Sequence, residues 1–295
     1  MNKSVICFGE TLWDVLPSGA VPGGAPMNVA IRSKSFGLEA SIISKVGLDK
    51  LGDDLITFLK KKEVDISLLQ RDEKFPTGKV DVLIDSKGIA TYDIKYPSAW
   101  DDIELTKATI EKVKEVDAFI FGSLACRNDV SRQTLLGLLK HASFKVFDVN
   151  LRPGFFDLAL IKKLMKSSDL VKLNDEEIAT LANHFGSSSE NLFENIRFLH
   201  KKFQIKSICV TRGEKGAVLF KNDEFYSNNG LVVDVADTVG SGDSFLSALI
   251  FKLLTQNNHQ VALDFACAVG TIVATKTGAN AEISVSEIEK IISQF

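Results

Sequence analysis

The chain has 295 residues, of which 45% are hydrophobic and 25% charged; this balance is typical of a folded globular protein and excludes a disordered or fibrous one. The formal net charge of -3, with lysine and arginine spread along the chain, excludes the basic surface that would hold a nucleic-acid backbone. No window approaches the roughly 20 consecutive apolar residues that cross a bilayer, and the N-terminal residues lack a signal-peptide pattern. We expect a cytoplasmic protein that binds neither nucleic acid nor membrane.

Short β-branched and aromatic segments alternate with longer segments of helical period, which predicts an α/β fold with a doubly wound, mainly parallel sheet flanked by helices. In chain order, the predicted strands are SVICFG, ASIISKVG, DAFIFGSL, FKVFDVN, DLVKLN and KSICVTRG. The predicted helices span residues 25–36, 50–62, 129–141, 174–184, 190–203, 241 to about 254, about 260–275, and from 284 onward. No composition shift marks a second domain, so residues 1–295 are interpreted as one.

One stretch breaks the alternation. Residues 77–96 alternate apolar and polar side chains around the turn DSKG, the period-two signature of a β-hairpin with one exposed face. A hairpin inside an α/β fold predicts a small β lid, formed mainly by residues of about 11–18 and 76–100. Such a lid has an apolar face that the active site or a second subunit must cover, so we expect a homodimer that forms through the lid.

The cysteines and histidines predict no site. The four cysteines are far apart in apolar surroundings without metal-ligand spacing, which favours reduced, buried thiols. The four histidines lie in polar, helix-like stretches with no partner motif, so the sequence supports neither a histidine triad nor a metal centre.

The most informative segment is DVADTVGSGDSFLSALIFKLL, residues 234–254. It places Gly240, Ser241 and Gly242 before an amphipathic helix with Asp243 in its first turn. Small residues there let backbone N–H groups converge on an anion, and the helix dipole favours negative charge at that end. Asp243 is interpreted either as a helix cap or as a general base beside a phosphate. The spacing is neither that of a P-loop nor that of a dinucleotide-binding fingerprint.

Two motifs resemble those of a known family. DTVGSGDSF at residues 237–245 is similar to the C-terminal signature of the PfkB, or ribokinase-like, carbohydrate kinases, and PGGAPMNVA at 22–30 is similar to their N-terminal signature. The resemblance covers the whole chain and implies a ribokinase-like fold. It also implies a kinase that transfers the γ-phosphoryl group of ATP to a sugar hydroxyl. Asp243 would be the catalytic base, with the N–H groups of Gly240, Ser241 and Gly242 around the transferred group.

The resemblance also assigns the two substrates. The sugar would contact Asp14, Gly23, Gly24, Asn28 and Arg152. From the residues alone, Asp14 could instead be a turn aspartate and Arg152 a surface arginine. The nucleotide side resembles the NxxE and TxGxxG motifs of the family, which involve Asn174, Glu177, Thr211, Gly213 and Gly216. Glu177 would hold Mg²⁺ through water, although a helix cap explains Asn174 and Glu177 equally. Potassium is the ion expected at backbone oxygens around Asp237, Val239 and Gly278.

GGAP stands where kinases of phosphorylated fructose and many ribokinases commonly have GGKG. Because Ala25 and Pro26 occupy these positions, the chain lacks the lysine of GGKG, and this absence of positive charge favours an uncharged sugar. GGAPxNVA and YPSAWDD resemble fructokinases, so fructose is the expected acceptor. The alternatives are a PfkB kinase for 2-keto-3-deoxygluconate or ribose, a catalytically silent sugar or nucleotide sensor on the same fold, and an oxidoreductase, which the missing fingerprint disfavours.

Overall fold

The computed structural model describes residues 2–17, 19–84 and 90–295. The strands in these ranges are β1 (Ser4–Phe8), β2 (Leu12–Leu16), β3 (Gly19–Gly23), β4 (Glu39–Gly47), β5 (Leu69–Asp72), β6 (Gly78–Ile84), β7 (Ala90–Ile94), β8 (Ala118–Phe121), β9 (Lys145–Asp148), β10 (Leu170–Asn174), β11 (Ser207–Thr211), β12 (Ala217–Lys221) and β13 (Glu224–Asn228). The helices are α1 (Ala25–Ser35), α2 (Lys50–Lys61), α3 (Lys107–Glu115), α4 (Asp129–Leu138), α5 (Leu158–Lys166), α6 (Asp175–His184), α7 (Leu192–Phe203), α8 (Ser241–Thr255), α9 (His259–Ala274) and α10 (Val285–Ile292).

The central sheet has nine strands in the order β13-β12-β11-β10-β9-β8-β1-β4-β5. From β11 to β5 all neighbours are parallel, whereas β12 and β13 add an antiparallel edge. Most side chains of β1, β4, β8, β10 and β11 are buried because helices cover both faces of the sheet. The expected α/β fold with a mainly parallel sheet is confirmed.

Two apolar layers hold the helices on the sheet. Side chains of α3 to α7 pack on one face of the sheet. Side chains of α1, α2, α8, α9 and α10 pack on the other. The second layer brings α1 and α8, which are more than 200 residues apart in sequence, into direct contact. The N-terminal ends of these two helices therefore meet, and each carries one of the two motifs.

A second, four-stranded sheet has the order β3-β2-β6-β7. It consists of two antiparallel hairpins, β2–β3 and β6–β7, that are joined by parallel pairing of β2 with β6. Strand β3 extends it beyond residues 11–18, because Gly19 to Gly23 pair along the whole of β2. The predicted turn DSKG lies outside the described residues.

The segment that follows β7 is held by a buried ion pair between Asp101 and Arg127. Arg127 donates from Nε and Nη2 to the Asp101 carboxylate at 2.6 and 2.8 Å. Its guanidinium also lies 4.0 Å from the ring centroid of Trp100. Both charged side chains are almost fully buried, so neither can lose its partner without a large destabilisation.

None of the helices in the described ranges has the length and apolar character needed to span a bilayer.

Candidate active site

The N-terminal end of α8 is shaped by Gly240. This residue is the helix N-cap and has φ +75° and ψ 0°, the left-handed region that glycine adopts without strain. A side-chain carbon at this position would lie 2.5 Å from the Cα atom of Ala279, so no larger residue fits. The helix begins at Ser241, the first residue predicted for it, so Ser241 and Gly242 belong to its first turn.

The N–H groups at this end differ from the prediction in one respect. The N–H of Ser241 donates to the carbonyl oxygen of Thr238 at 3.2 Å, which closes the turn before the helix. The N–H groups of Gly242 and Asp243 have no hydrogen-bond partner among the described residues. The N–H of Gly240 likewise has no partner among the described residues, so the open donors at the helix end come from Gly240, Gly242 and Asp243, whereas the Ser241 hydroxyl donates to the Gly270 carbonyl oxygen of α9.

Asp243 lies in the first turn of α8, half-buried, with one oxygen accepting from Nδ2 of Asn28 at 2.9 Å. Burial, and after it the charge of the nearby Asp148 carboxylate, raise the pKa of Asp243 to about 6. The Asn28 hydrogen bond and the positive charges of Lys172 and Arg152 oppose this rise. Asp243 is therefore ionised at neutral pH but binds a proton far more readily than an exposed aspartate does.

Asn28 connects the two motifs. It is buried on the first turns of α1, where its side-chain oxygen accepts from Nδ2 of Asn280 at 3.1 Å. The helix begins after Gly24, which has φ +111° and lies against the backbone that follows β1. A side-chain carbon on Gly24 would lie 2.5 Å from the carbonyl oxygen of Glu10. Asn28 thus fixes the orientation of the Asp243 carboxylate.

Two of the predicted sugar contacts lie on the second sheet, Asp14 on β2 and Gly23 on β3. Asp14 and Gly23 lie on adjacent, antiparallel strands. A side-chain carbon on Gly23 would lie 2.8 Å from Cγ of Asp14, so the glycine makes room for the carboxylate. Burial raises the pKa of Asp14 to about 6, and the charge of Arg152 lowers it. Arg152 is exposed, and its charge also lowers the pKa of Asp243, so one cation acts on both carboxylates.

A narrow cavity at the carboxyl ends of β1, β8 and β9 adjoins these residues. Its lining includes Ala25, Pro26, Arg152, Glu10 and Asp148. Glu10 is buried, and one of its carboxylate oxygens has no partner in the described part of the chain. Burial raises the pKa of Glu10 to about 7. The sequence prediction did not include Glu10, although an acidic residue directly after a buried strand was the available signal.

Asn174 and Glu177 form a helix cap at the start of α6. The Asn174 side chain accepts from the N–H of Glu177, and the Glu177 carboxylate accepts from the N–H of Asn174, both at 2.8 Å. The second Glu177 oxygen accepts from the N–H of Leu151 at 2.7 Å, which ties the loop before Arg152 to α6. The capping interpretation is thus shown, and the carboxylate also joins the loops after β9 and β10.

Thr211 is the last residue of β11, beside Asn174 in the register of the sheet, and Gly213 and Gly216 lie in the turn that follows it. Gly216 has φ +73°, and its N–H donates to the carbonyl oxygen of Gly213 at 3.0 Å. These three residues form a tight turn before β12. In the described residues they make no hydrogen bond to the N-terminal end of α8.

Asp237, Val239 and Gly278 are brought together in the loops before α8 and after α9. The Asp237 carboxylate accepts from the N–H of Val239 at 2.9 Å and from the N–H of Gly278 at 3.1 Å. It therefore holds both loops beside the Gly240 cap. No cluster of three or more His, Cys, Asp or Glu side chains positioned to hold a metal ion occurs within the described residues.

Residues 6–285 match the pfkB family of carbohydrate kinases. The chain belongs to this family. A fructokinase of Salmonella typhimurium is 28% identical to this kinase in an alignment of 300 positions that covers 95% of this chain and 95% of the fructokinase. The solved fructokinase of Xylella fastidiosa with bound ATP has a TM-score of 0.87 at 22% identity and covers 100% of this chain and 99% of its own.

A solved 2-dehydro-3-deoxygluconokinase from Thermotoga maritima gives a TM-score of 0.86 at 23% identity and covers 99% of this chain and 100% of its own. The expected pfkB sugar kinase is confirmed by the family match. Because the two solved structures have different sugars in their names and nearly equal TM-scores, the fold does not discriminate between acceptors.

Proposed function

We propose that this pfkB kinase phosphorylates a small, unphosphorylated sugar, with fructose as the acceptor, and that Asp243 is the general base. The observation that carries the proposal is the half-buried Asp243 carboxylate next to the open N–H groups of Gly242 and Asp243 at the start of α8. A helix N-terminus favours the charge on a transferred phosphoryl group, and a carboxylate there can accept the proton of the attacking hydroxyl.

In this mechanism each residue has one role. Asn28 orients the Asp243 carboxylate through a 2.9 Å hydrogen bond, so that one oxygen remains available to the sugar hydroxyl. The hydroxyl loses its proton to Asp243 as its oxygen attacks the γ-phosphorus of ATP, and ADP leaves. The N–H groups of Gly242 and Asp243 donate to the oxygens of the group in transfer. The pKa of about 6 keeps Asp243 ionised at neutral pH and basic enough to take the proton.

The sugar is held on the opposite side of the site by the second sheet. Asp14 can accept hydrogen bonds from two hydroxyl groups, and Gly23 leaves space beside it. Ala25 and Pro26 line the cavity where a lysine would favour a phosphorylated sugar. This lining, together with the likeness to the Salmonella typhimurium fructokinase, supports fructose.

The residues fit magnesium held through water at Glu177. Each carboxylate oxygen of Glu177 already accepts one backbone N–H, so the remaining lone pairs suit water molecules rather than direct coordination. Magnesium on the ATP phosphates would supply positive charge that offsets the charge of the transferred group. Potassium binding at the loops of Asp237, Val239 and Gly278 stays a prediction, which is tested by measuring the rate as potassium is titrated. A homodimer that forms through the second sheet also stays a prediction, and analytical ultracentrifugation tests it.

A second acceptor, 2-keto-3-deoxygluconate, is favoured by one observation. Arg152 is exposed, yet it lies near Asp14 and Asp243, so it could pair with a substrate carboxylate. Ribose remains a third candidate acceptor.

The deciding experiment measures ATP consumption with fructose, ribose, 2-keto-3-deoxygluconate, fructose 6-phosphate and adenosine in parallel, with Asp243→Asn as the background control. We expect the highest kcat/KM with fructose. A higher value with 2-keto-3-deoxygluconate, and its loss in Arg152→Gln, would replace fructose with that acceptor. The highest value with fructose 6-phosphate would contradict the argument from Ala25 and Pro26.

A further inference from the structure

Lys172 is a lysine in the middle of a buried strand of the central sheet. It lies on β10, 7% exposed, directly beside Asp148 of β9 in the sheet register. Its Nζ atom is 3.0 Å from Oδ1 of Asp148. A buried ion pair of this kind contributes little net stability compared with apolar residues of the same size, so stability alone does not explain it.

The Lys172–Asp148 pair lies under the first turn of α8. A side-chain carbon placed on Gly242 would lie 3.3 Å from Nζ of Lys172, so the ammonium group touches the helix beside Asp243. The second oxygen of Asp148, Oδ2, is buried and has no hydrogen-bond partner among the described residues. Asp148 is therefore only half satisfied, and Lys172 is the one cation that the described structure shows bonded to it.

The charges around Asp243 come from several elements. The titratable and charged groups that act on it are Cys7 of β1, Glu10 after β1, Asp148 of β9, Arg152 after β9 and Lys172 of β10, while Asn28 of α1 donates a hydrogen bond. Among the charges, the Asp148 carboxylate is the strongest one that disfavours ionisation of Asp243, and Lys172 is the strongest one that favours it. These two groups are bonded to each other, so their effects are linked.

We propose that Lys172 and Asp148 are positioning residues, in which the buried ammonium group balances the Asp148 charge and thereby keeps Asp243 an ionised proton acceptor at neutral pH. This inference rests on the proposed role of Asp243 as the base. Burial favours the neutral form of Lys172, but the charges of Asp148, Asp243 and Glu177 outweigh it and raise the pKa of Lys172. The ammonium group thus stays charged throughout the pH range in which Asp243 titrates.

The test is the pH dependence of kcat/KM for the sugar at saturating ATP. Lys172→Met leaves the Asp148 charge unopposed, so the acid limb should move to higher pH by about one unit, as for loss of an opposite charge within contact distance. Asp148→Asn removes the repelling charge and should move the limb to lower pH. The double variant Lys172→Met/Asp148→Asn removes both effects, so its limb should return close to that of the parent protein.

The control is Lys221→Met. Lys221 is also a half-buried lysine of the central sheet, but it pairs with Ser207 at the opposite end of β11 from Thr211. Lys221→Met should therefore leave the acid limb of the kcat/KM profile unchanged. A direct readout that needs no turnover is the pH titration of the Asp243 side-chain carboxyl carbon by NMR. The signal is assigned by its loss in Asp243→Asn. Its titration midpoint should move in the same directions as the acid limb.

Two results would overturn the inference. One is an unmoved limb and an unmoved Asp243 titration in both single variants, which would leave the pair a purely structural role. The other is a large rise in the KM for ATP in Lys172→Met with an unmoved limb, which would place the ammonium group on the nucleotide phosphates. A parent protein that turns over no sugar would refute the proposed function, whereas the NMR titration would still report on the pair.

Discussion

Replacing Asp243 by asparagine removes the proposed base and, in the same change, a destabilising charge. In the folded protein the pKa of this carboxyl is raised from 3.8 to about 6, first by burial and then by Asp148. A carboxyl whose pKa is higher in the folded than in the unfolded state destabilises the fold when it ionises. Each tenfold change in proton affinity corresponds to about 1.4 kcal/mol, so the full effect is about 3 kcal/mol.

The sign defines a pH window. Below pH 3.8 the carboxyl is protonated in both states, and Asp243→Asn should change stability little. As pH rises from 3.8 to about 6, the unfolded protein ionises first and the parent loses stability relative to the variant. Above that range the variant should be more stable by up to about 3 kcal/mol, while its turnover should fall by at least about 10²-fold.

The assay is urea unfolding of parent and variant at acid and alkaline pH, together with turnover and ATP binding. Asp54→Asn on α2 is the matched control, because in the described part of the chain Asp54 pairs only with Lys50, on the surface. It should change stability by less than about 0.5 kcal/mol at any pH. An Asp243→Asn protein that is no more stable than the parent at alkaline pH would refute the buried charge, and near-normal turnover would refute the base.

Three further variants test separate parts of the structure. Asp14→Ala should raise the sugar KM about tenfold or more and leave the KM for ATP unchanged, because it removes a charged acceptor for sugar hydroxyl groups; a change confined to ATP would show that Asp14 is misassigned. Gly240→Ala should lower the free energy of unfolding by about 1–3 kcal/mol, since it combines a positive φ with a collision against Ala279; unchanged urea stability would contradict that geometry. Arg127→Met should destabilise the protein by about 3–5 kcal/mol in the same assay, because Asp101 is left buried without its partner, and a small change there would mean that the pair is not buried.

The alternation of strands and helices could be read from the sequence because each element carries its own period. Helices α1, α2, α4, α6, α7, α8 and α9 begin and end within a few residues of the predicted bounds. The elements α3, α5, β5, β12 and β13 were not predicted. Helix α3, for example, is short and mostly polar, with only Thr109 and Val113 buried, so its pattern is weak.

The sequence by itself determined the family, the alternation of strands and helices, and the placement of Asp243 in the first turn of a helix after a glycine. Each of these depends on short motifs or periodic segments whose residues lie close together in the chain. Only the tertiary structure decided which N–H groups at that helix end are free, and that Asn28 holds the Asp243 carboxylate. The same holds for the pairing of Lys172 with Asp148, which depends on the register of two strands separated by a helix. Charge acts through space, so the proton affinity of Asp243 depends on residues that the sequence keeps far apart.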